Sequence, residues 1–309
     1  MNSRRWLLIT LLSIAALVGV NLLLSYELDV YGIMRDPRGR KLATSSFYLP
    51  MTDDRVFKYM LNQRYVPSNF DGVLIGSSSS GNWDTDLIHG FHIYNESLVG
   101  GSASEEKILV DQLPQTAHFR IAICALSPFI VSKHDLKHGL GQLTRREAFG
   151  SLNSFGEETA KVLADLRHQQ NTFFPNGSRV FPNEGTIKRD DHEELGTHYF
   201  DIDMQAMADY RSLIRTLQAH GAEIIYVAPP IYLPIHGDLT QFDRSLERIQ
   251  TQLPPGPLIN FTDPEYTAFN TDSSNFSDGL HVNSQGATKI SKILNEKLHL
   301  LLGGSEFSP

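Results

Sequence analysis

The sequence predicts an α/β fold: a three-layer α/β/α domain on a five-stranded parallel sheet, preceded by one transmembrane helix. Three observations carry this expectation. Five short apolar runs recur along the chain, amphipathic segments separate most of them, and no charged residue lies between Trp6 and Tyr26. Runs that are apolar on both faces suit strands covered on both sides, and strands alternating with helices imply a parallel sheet. The 309 residues, 41% of them hydrophobic, suffice for one core of about 250 residues or two smaller ones. With 27 Lys+Arg against 35 Asp+Glu and a net charge of -8, the chain has no basic cluster to displace counterions, which argues against nucleic-acid binding. A single cysteine, Cys124, excludes an internal disulfide, a zinc ribbon and a CxxC redox pair.

The elements follow in order. The stretch "WLLITLLSIAALVGVNLLLSY", at about 1.5 Å per residue, spans roughly 31 Å, the hydrocarbon thickness of a bilayer. A cleaved signal peptide is the rival reading, but the run ends in "LLLSYELD" rather than in small residues, which favours an uncleaved anchor. Arg4 and Arg5 abut the helix, whereas Arg35, Arg38, Arg40 and Lys41 follow it at a distance. We therefore expect residues 1–26 to be a cytoplasmic tip and anchor in the inner (cytoplasmic) membrane, with the bulk of the chain periplasmic. Residues 27–70 read as a connector holding one helix from Thr52 to about Tyr65, ended before Pro67. The strands are expected at 72–77, 92–97, 119–126, 222–230 and 257–262. Helices are expected over "SASEEKILVDQL", capped by Ser102 or Ser104, over "MQAMADYRSLIRTLQAHG" up to Gly221, over "QFDRSLERIQTQL", and from Ser284 to Leu302. The domain would span 71–303 with a short tail at 304–309. An inserted region, 131–200, is too long for a simple crossover and reads as a lid of one or two helices and a loop.

In such a sheet, ligands bind beyond the carboxyl ends of the strands. Two motifs fall there. In "VLIGSSSSGNWD" four serines follow the first strand, where a hydroxyl at a strand-to-helix turn lies near helix amides able to hold an oxyanion; a flexible serine-rich loop is the plainer alternative. In "NFSDGLHVNSQGATKI" Asp278 and His281 are three residues apart. The carboxylate can then orient one imidazole nitrogen while the other faces a serine. Either motif alone is weak; together, at one rim, they are a Ser-His-Asp constellation.

The strand-Gly-x-Ser-x-Ser start and the Asp-x-x-His before the last helix resemble the SGNH (GDSL-like) hydrolase superfamily. They are especially similar to its membrane-anchored, extracytoplasmic variants, which include alginate O-acetylation and teichoic acid D-alanylation proteins. The resemblance implies a flavodoxin-like sheet of the SGNH type, with Ser78 as nucleophile, His281 as base and Asp278 as its orienting carboxylate. A nearer Ser77 or Ser80 would reassign the nucleophile. It further implies that "NESLVGGS" supplies Asn95 and an oxyanion amide at Gly100, with Gly101 competing for that place. The family's third block is missing: "CALSPF" puts Ser127 where an Asn would complete the oxyanion hole. The activity implied is acyl transfer without a cofactor, slightly favouring O-acetylation of a cell-envelope polysaccharide over esterase or deacetylase action. A multi-pass membrane acyltransferase would be the partner. A catalytically inactive SGNH-like binding or scaffold protein is the alternative that the changed third block raises.

Other residues read as structural. His134 and His138 have helical i, i+4 spacing but lack a third ligand, so no metal site is expected. His89, His92 and the "DDHEEL" run read as surface, Cys124 as an inert core residue, and Tyr232 as either core or pocket lining. Asn-x-Ser/Thr matches at Asn95, Asn176, Asn260 and Asn275 read as chance.

Overall fold

The computed structural model describes residues 3–28, 54–132, 173–179, 200–236 and 239–303, with scattered positions between 155 and 187. The lid reading of 131–200, His134 and His138 fall largely or wholly outside the described residues. In chain order the helices are α1 (Ser3–Leu28), α2 (Asp54–Asn62), α3 (Tyr65–Asn69), α4 (Ala103–Val110), α5 (Met204–Ala219), α6 (Leu233–His236), α7 (Thr240–Gln250), α8 (Thr267–Thr271) and α9 (Ser284–Leu301). The strands are β1 (Gly72–Ile75), β2 (Ile93–Asn95), β3 (Ile121–Ala125), β4 (Glu223–Ala228) and β5 (Leu258–Asn260).

Helix α1 is long and apolar enough to cross a membrane, with a mean hydropathy of 2.6. Trp6, Leu12, Leu17 and Leu23 are all exposed. An apolar surface on every side suits a lipid environment rather than one packed face.

The five strands form one parallel sheet in the order β2-β1-β3-β4-β5. Gly72 pairs with both Ile93 and Ile121, so β1, β2 and β3 enter the sheet level with one another. Chain direction across the sheet reverses between β1 and β3, and the crevice at such a switch point opens at the carboxyl ends of those two strands. Each strand is shorter than its apolar run. The run 72–77 stops at Ile75 because the next residues turn, and 222–230 pairs only over 223–228.

Alternation sorts the side chains into two cores. Val73, Ile75, Ala122, Cys124, Ile224 and Tyr226 face α2, α4, α5 and α7, whereas Leu74, Ile121, Ile123, Ile225 and Val227 face α9 and the loop around Trp83. All five residues of β3 are buried, and each large aliphatic there contributes about 1.5–3 kcal/mol. Burial pushes the Cys124 thiol far up, which leaves it an inert core residue. The capping expectation resolves to Ser102: its hydroxyl accepts the Glu105 amide while Glu105 accepts the Ser102 amide. Residues 54–69 join the same core through Phe57, Met60, Leu61 and Val66. The expected helix does end before Pro67, at Asn62, but the reading missed a second element: past a break at Gln63–Arg64, the short helix α3 holds Pro67 in its first turn, where the missing N–H has no helical carbonyl to bond.

A polar patch interrupts the core beneath β2. Glu106 of α4 is 1% exposed, and among the described residues neither of its carboxylate oxygens has a hydrogen-bond partner. Burial, reinforced by the Glu105 charge, pushes its pKa well above the ordinary carboxylate range. A carboxyl raised in the folded state contributes stability at low pH that is lost as pH rises toward its folded value. Glu106→Gln is therefore expected to raise the melting temperature at neutral pH, with the gain over wild type growing from pH 5 to pH 8. Paired thermal unfolding across that range checks it; a gain that shrinks with pH contradicts the assignment.

Candidate active site

The serine turn begins where β1 ends. Ser77 is extended (φ -89, ψ -168), and Ser78–Ser80 form one 3-10 turn closed by the Gly81 amide on the Ser78 carbonyl. The backbone must pass close to β3 here: a Cβ on Gly76 would collide with the Ser80 hydroxyl and lie 2.7 Å from the Ala125 Cβ. Three of the four hydroxyls are used internally. Ser77 and Ser79 share a hydrogen bond at 3.1 Å, and Ser80 bonds Ser97 at 2.8 Å. These three are buried, and only Ser78 is partly open to solvent. Of the four serines, Ser78 is the one with a partly exposed side chain and a hydroxyl 2.8 Å from His281 Nε2.

The second motif is a tight loop between β5 and α9. Phe276 and Val282 bridge its base, and the Ser277 amide donates to the His281 carbonyl at 2.9 Å. Asp278 Oδ1 accepts the amides of Leu280 and His281, each at 2.8 Å, which fixes its carboxylate against the ring. His281 Nδ1 lies 2.7 Å from Asp278 Oδ2, and Nε2 lies 2.8 Å from Ser78 Oγ. With a carboxylate on Nδ1, the network assigns the proton there and leaves Nε2 as the acceptor for the serine hydroxyl. Burial works against the Asp278 charge, but the His281 hydrogen bond and charge, with the two amides, outweigh it and hold its pKa below the ordinary value.

Both motifs are braced from behind. Asn82 Nδ2 donates to the Val282 carbonyl at 2.6 Å, tying the serine turn to the histidine loop across 200 residues of sequence. The Gly279 carbonyl accepts the Tyr232 amide at 3.0 Å and His236 Nε2 at 3.1 Å. Tyr232 also sets its ring 5.4 Å from that of Phe276, so its contact is with the core beneath the loop. Burial pulls the His236 pKa down, against a weaker upward pull from the Gly279 carbonyl and Asp278.

The structure thus brings together Ser78, His281 and Asp278, and two other expected residues are engaged in local hydrogen bonds. Asn95 is fully buried; its Nδ2 donates to the Ser80 carbonyl at 2.9 Å and lies 3.3 Å from those of Gly81 and Trp83. It therefore holds the serine turn from beneath rather than facing a substrate. Ser127 is 3% exposed, and its Oγ accepts the Phe129 amide at 3.4 Å to cap the turn that leaves β3. That engagement is a local cap, which a serine before proline supplies readily. Gly100 is exposed at φ +58 on the loop leaving β2, the strand beside β1, with its carbonyl bonded to Arg55 at 3.1 Å; Gly101 is buried against Leu98. Asn82, Ser97 and His236 escaped the sequence reading. Asn82 lies inside the quoted serine motif, but nothing in its spacing identifies a carbonyl partner so far away.

Three of the sequon asparagines, Asn95, Asn176 and Asn275, are buried, and Asn260 bonds Asp263. Among the described residues no group of three or more His, Cys, Asp or Glu side chains could hold a metal ion.

Neither a protein-family model nor a curated protein matches the chain. Among solved structures, the chain is similar to a Streptococcus pneumonia protein described as a candidate platelet activating factor. Identity is 11% and the TM-score 0.45, over 79% of this chain and 91% of that one.

Proposed function

We propose that this protein is a membrane-anchored serine acyl-transfer enzyme, an O-acetyltransferase acting on a cell-envelope polysaccharide outside the cytoplasmic membrane. The observation that carries acyl transfer is the unbroken run from Ser78 Oγ through His281 to Asp278, at 2.8 and 2.7 Å. His281 Nε2 takes the proton as Ser78 Oγ attacks an ester carbonyl, and Asp278 steadies the imidazolium. The amide of Ser78, which has no carbonyl to bond within its own turn, and that of Gly100 would hold the oxyanion. Collapse expels the donor alcohol, which takes the proton from His281 and leaves an acetyl ester on Ser78. A sugar hydroxyl, deprotonated by the same nitrogen, then attacks that ester and regenerates Ser78. Helix α1 would keep the site near the membrane, where a multi-pass acyltransferase partner would deliver acetyl groups.

Hydrolysis is the second reading, favoured by one observation: the His281 side chain retains 30% exposure, so water can reach the acyl-enzyme. The two separate in one assay, in which the full chain in detergent micelles is given a chromogenic acetyl ester with and without an acceptor oligosaccharide. The transferase reading predicts acetylated oligosaccharide by mass spectrometry and faster chromophore release with acceptor. Chromophore release at one rate, with free acetate as the sole product, would leave the esterase.

A further inference from the structure

Helix α2 grips the loop that carries Gly100. Lys58 is 1% exposed, and its Nζ donates to the carbonyls of Asn95 and Ser97, both at 2.7 Å. One turn earlier, Asp54 Oδ2 accepts the Val99 amide at 2.9 Å, and Arg55 donates to the Gly100 carbonyl while pairing with Glu105 at 2.7 Å. Residues 54, 55 and 58 share one helix face, so a single face fixes the loop at four of its six positions from 95 to 100.

The two residues that Lys58 holds both reach the serine turn. Asn95 donates its side chain to the turn's carbonyls, Ser97 Oγ bonds Ser80 Oγ, and the Leu98 amide donates to the Gly76 carbonyl. An ammonium buried this far carries a large desolvation cost, and Asp54, Glu96, Glu106 and Arg179 are the charged groups that act on it. Packing alone would be served by an apolar side chain of similar length. The cost is offset by two carbonyls that would otherwise be buried with fewer donors.

We propose that Lys58 is a positioning residue for the acyl-transfer centre, clamping the exit of β2 so that the serine turn and the Gly100 amide keep their mutual geometry. The inference rests on the acyl-transfer reading above. Lys58 touches neither Ser78 nor His281; it acts through Asn95 and Ser97. A clamp of this kind matters when charge develops on the carbonyl oxygen and much less when substrate first binds, so its loss lowers kcat and spares KM.

The test is ester hydrolysis by the full chain in detergent, comparing wild type, Lys58→Met and Ser97→Ala, each checked by circular dichroism and thermal unfolding. Lys58→Met keeps the stem and removes the donors. It is expected to lower kcat at least tenfold with KM within about twofold, and Lys58→Arg, which restores donors, to recover part of that loss. Ser97→Ala, a smaller change, is expected to lower kcat about three- to tenfold with KM unchanged. A folded Lys58→Met with wild-type kcat overturns the inference and leaves the acyl-transfer reading standing. If Lys58→Met does not fold, Ser97→Ala decides: a wild-type kcat there overturns the clamp. A wild type without Ser78-dependent hydrolysis removes both.

Discussion

Ser78→Ala is expected to abolish turnover of an acetyl ester, lowering kcat by about a thousandfold or more while the fold persists. The size of the effect follows from the way the turn is built. The hydroxyls of Ser77, Ser79 and Ser80 are buried and bonded within the protein, so none can swing out to replace the missing nucleophile without breaking its own contacts. Ser78 Oγ is the partly exposed one and its bond is to His281. Removing an oxygen at the rim leaves no cavity, so the melting temperature is expected to move by no more than about 2 °C. Steady-state hydrolysis beside a thermal scan checks both halves. Residual activity within tenfold of wild type would mean that another group attacks.

Asp278→Asn is the second large effect, about 10³- to 10⁴-fold in kcat, with the loop still formed. The asparagine oxygen can go on accepting the amides of Leu280 and His281, so backbone geometry is conserved. What changes is the ring. Without a carboxylate on Nδ1, the imidazole proton is free to sit on Nε2, where it faces Ser78 Oγ as a donor and cannot take the serine proton. The pH dependence separates this from simple unfolding. Asp278 has its pKa held below the ordinary value, so it supports the folded loop above the carboxylate range and that support is lost only as pH falls through its folded value. Wild-type activity should accordingly not lose Asp278's contribution near neutrality, and Asp278→Asn should be impaired at every pH from 6 to 9. Recovery of the variant at high pH would contradict a tautomer role.

The sheet was legible in the sequence because each strand is a local apolar run bounded by turn residues. Helix α9 was legible as the run from Ser284 to Leu302, and the structure adds its cap, the Asn283 side chain accepting the Gly286 amide. Ser78, Asp278 and His281 were legible because the first sits at a strand end and the other two lie within one turn of each other. The features that escaped depend on contacts between distant segments. Asn95 carries a side chain suited to substrate or to backbone, and only the fold decides that it meets the carbonyls of Ser80 and its neighbours. Lys58 reads as one more charge on an amphipathic helix, and nothing local says that it is buried. The break ahead of α3 was hidden because Pro67 stops a helix in its interior and is tolerated in its first turn, so the outcome depended on where the helix restarts.

The most direct measurement is the site of covalent modification by a fluorophosphonate on the folded full chain, read by peptide mass spectrometry. A single adduct on Ser78, absent from His281→Ala, is the result that a Ser78–His281–Asp278 relay predicts. An adduct on any other serine, or a folded protein that the reagent leaves unmodified, contradicts it.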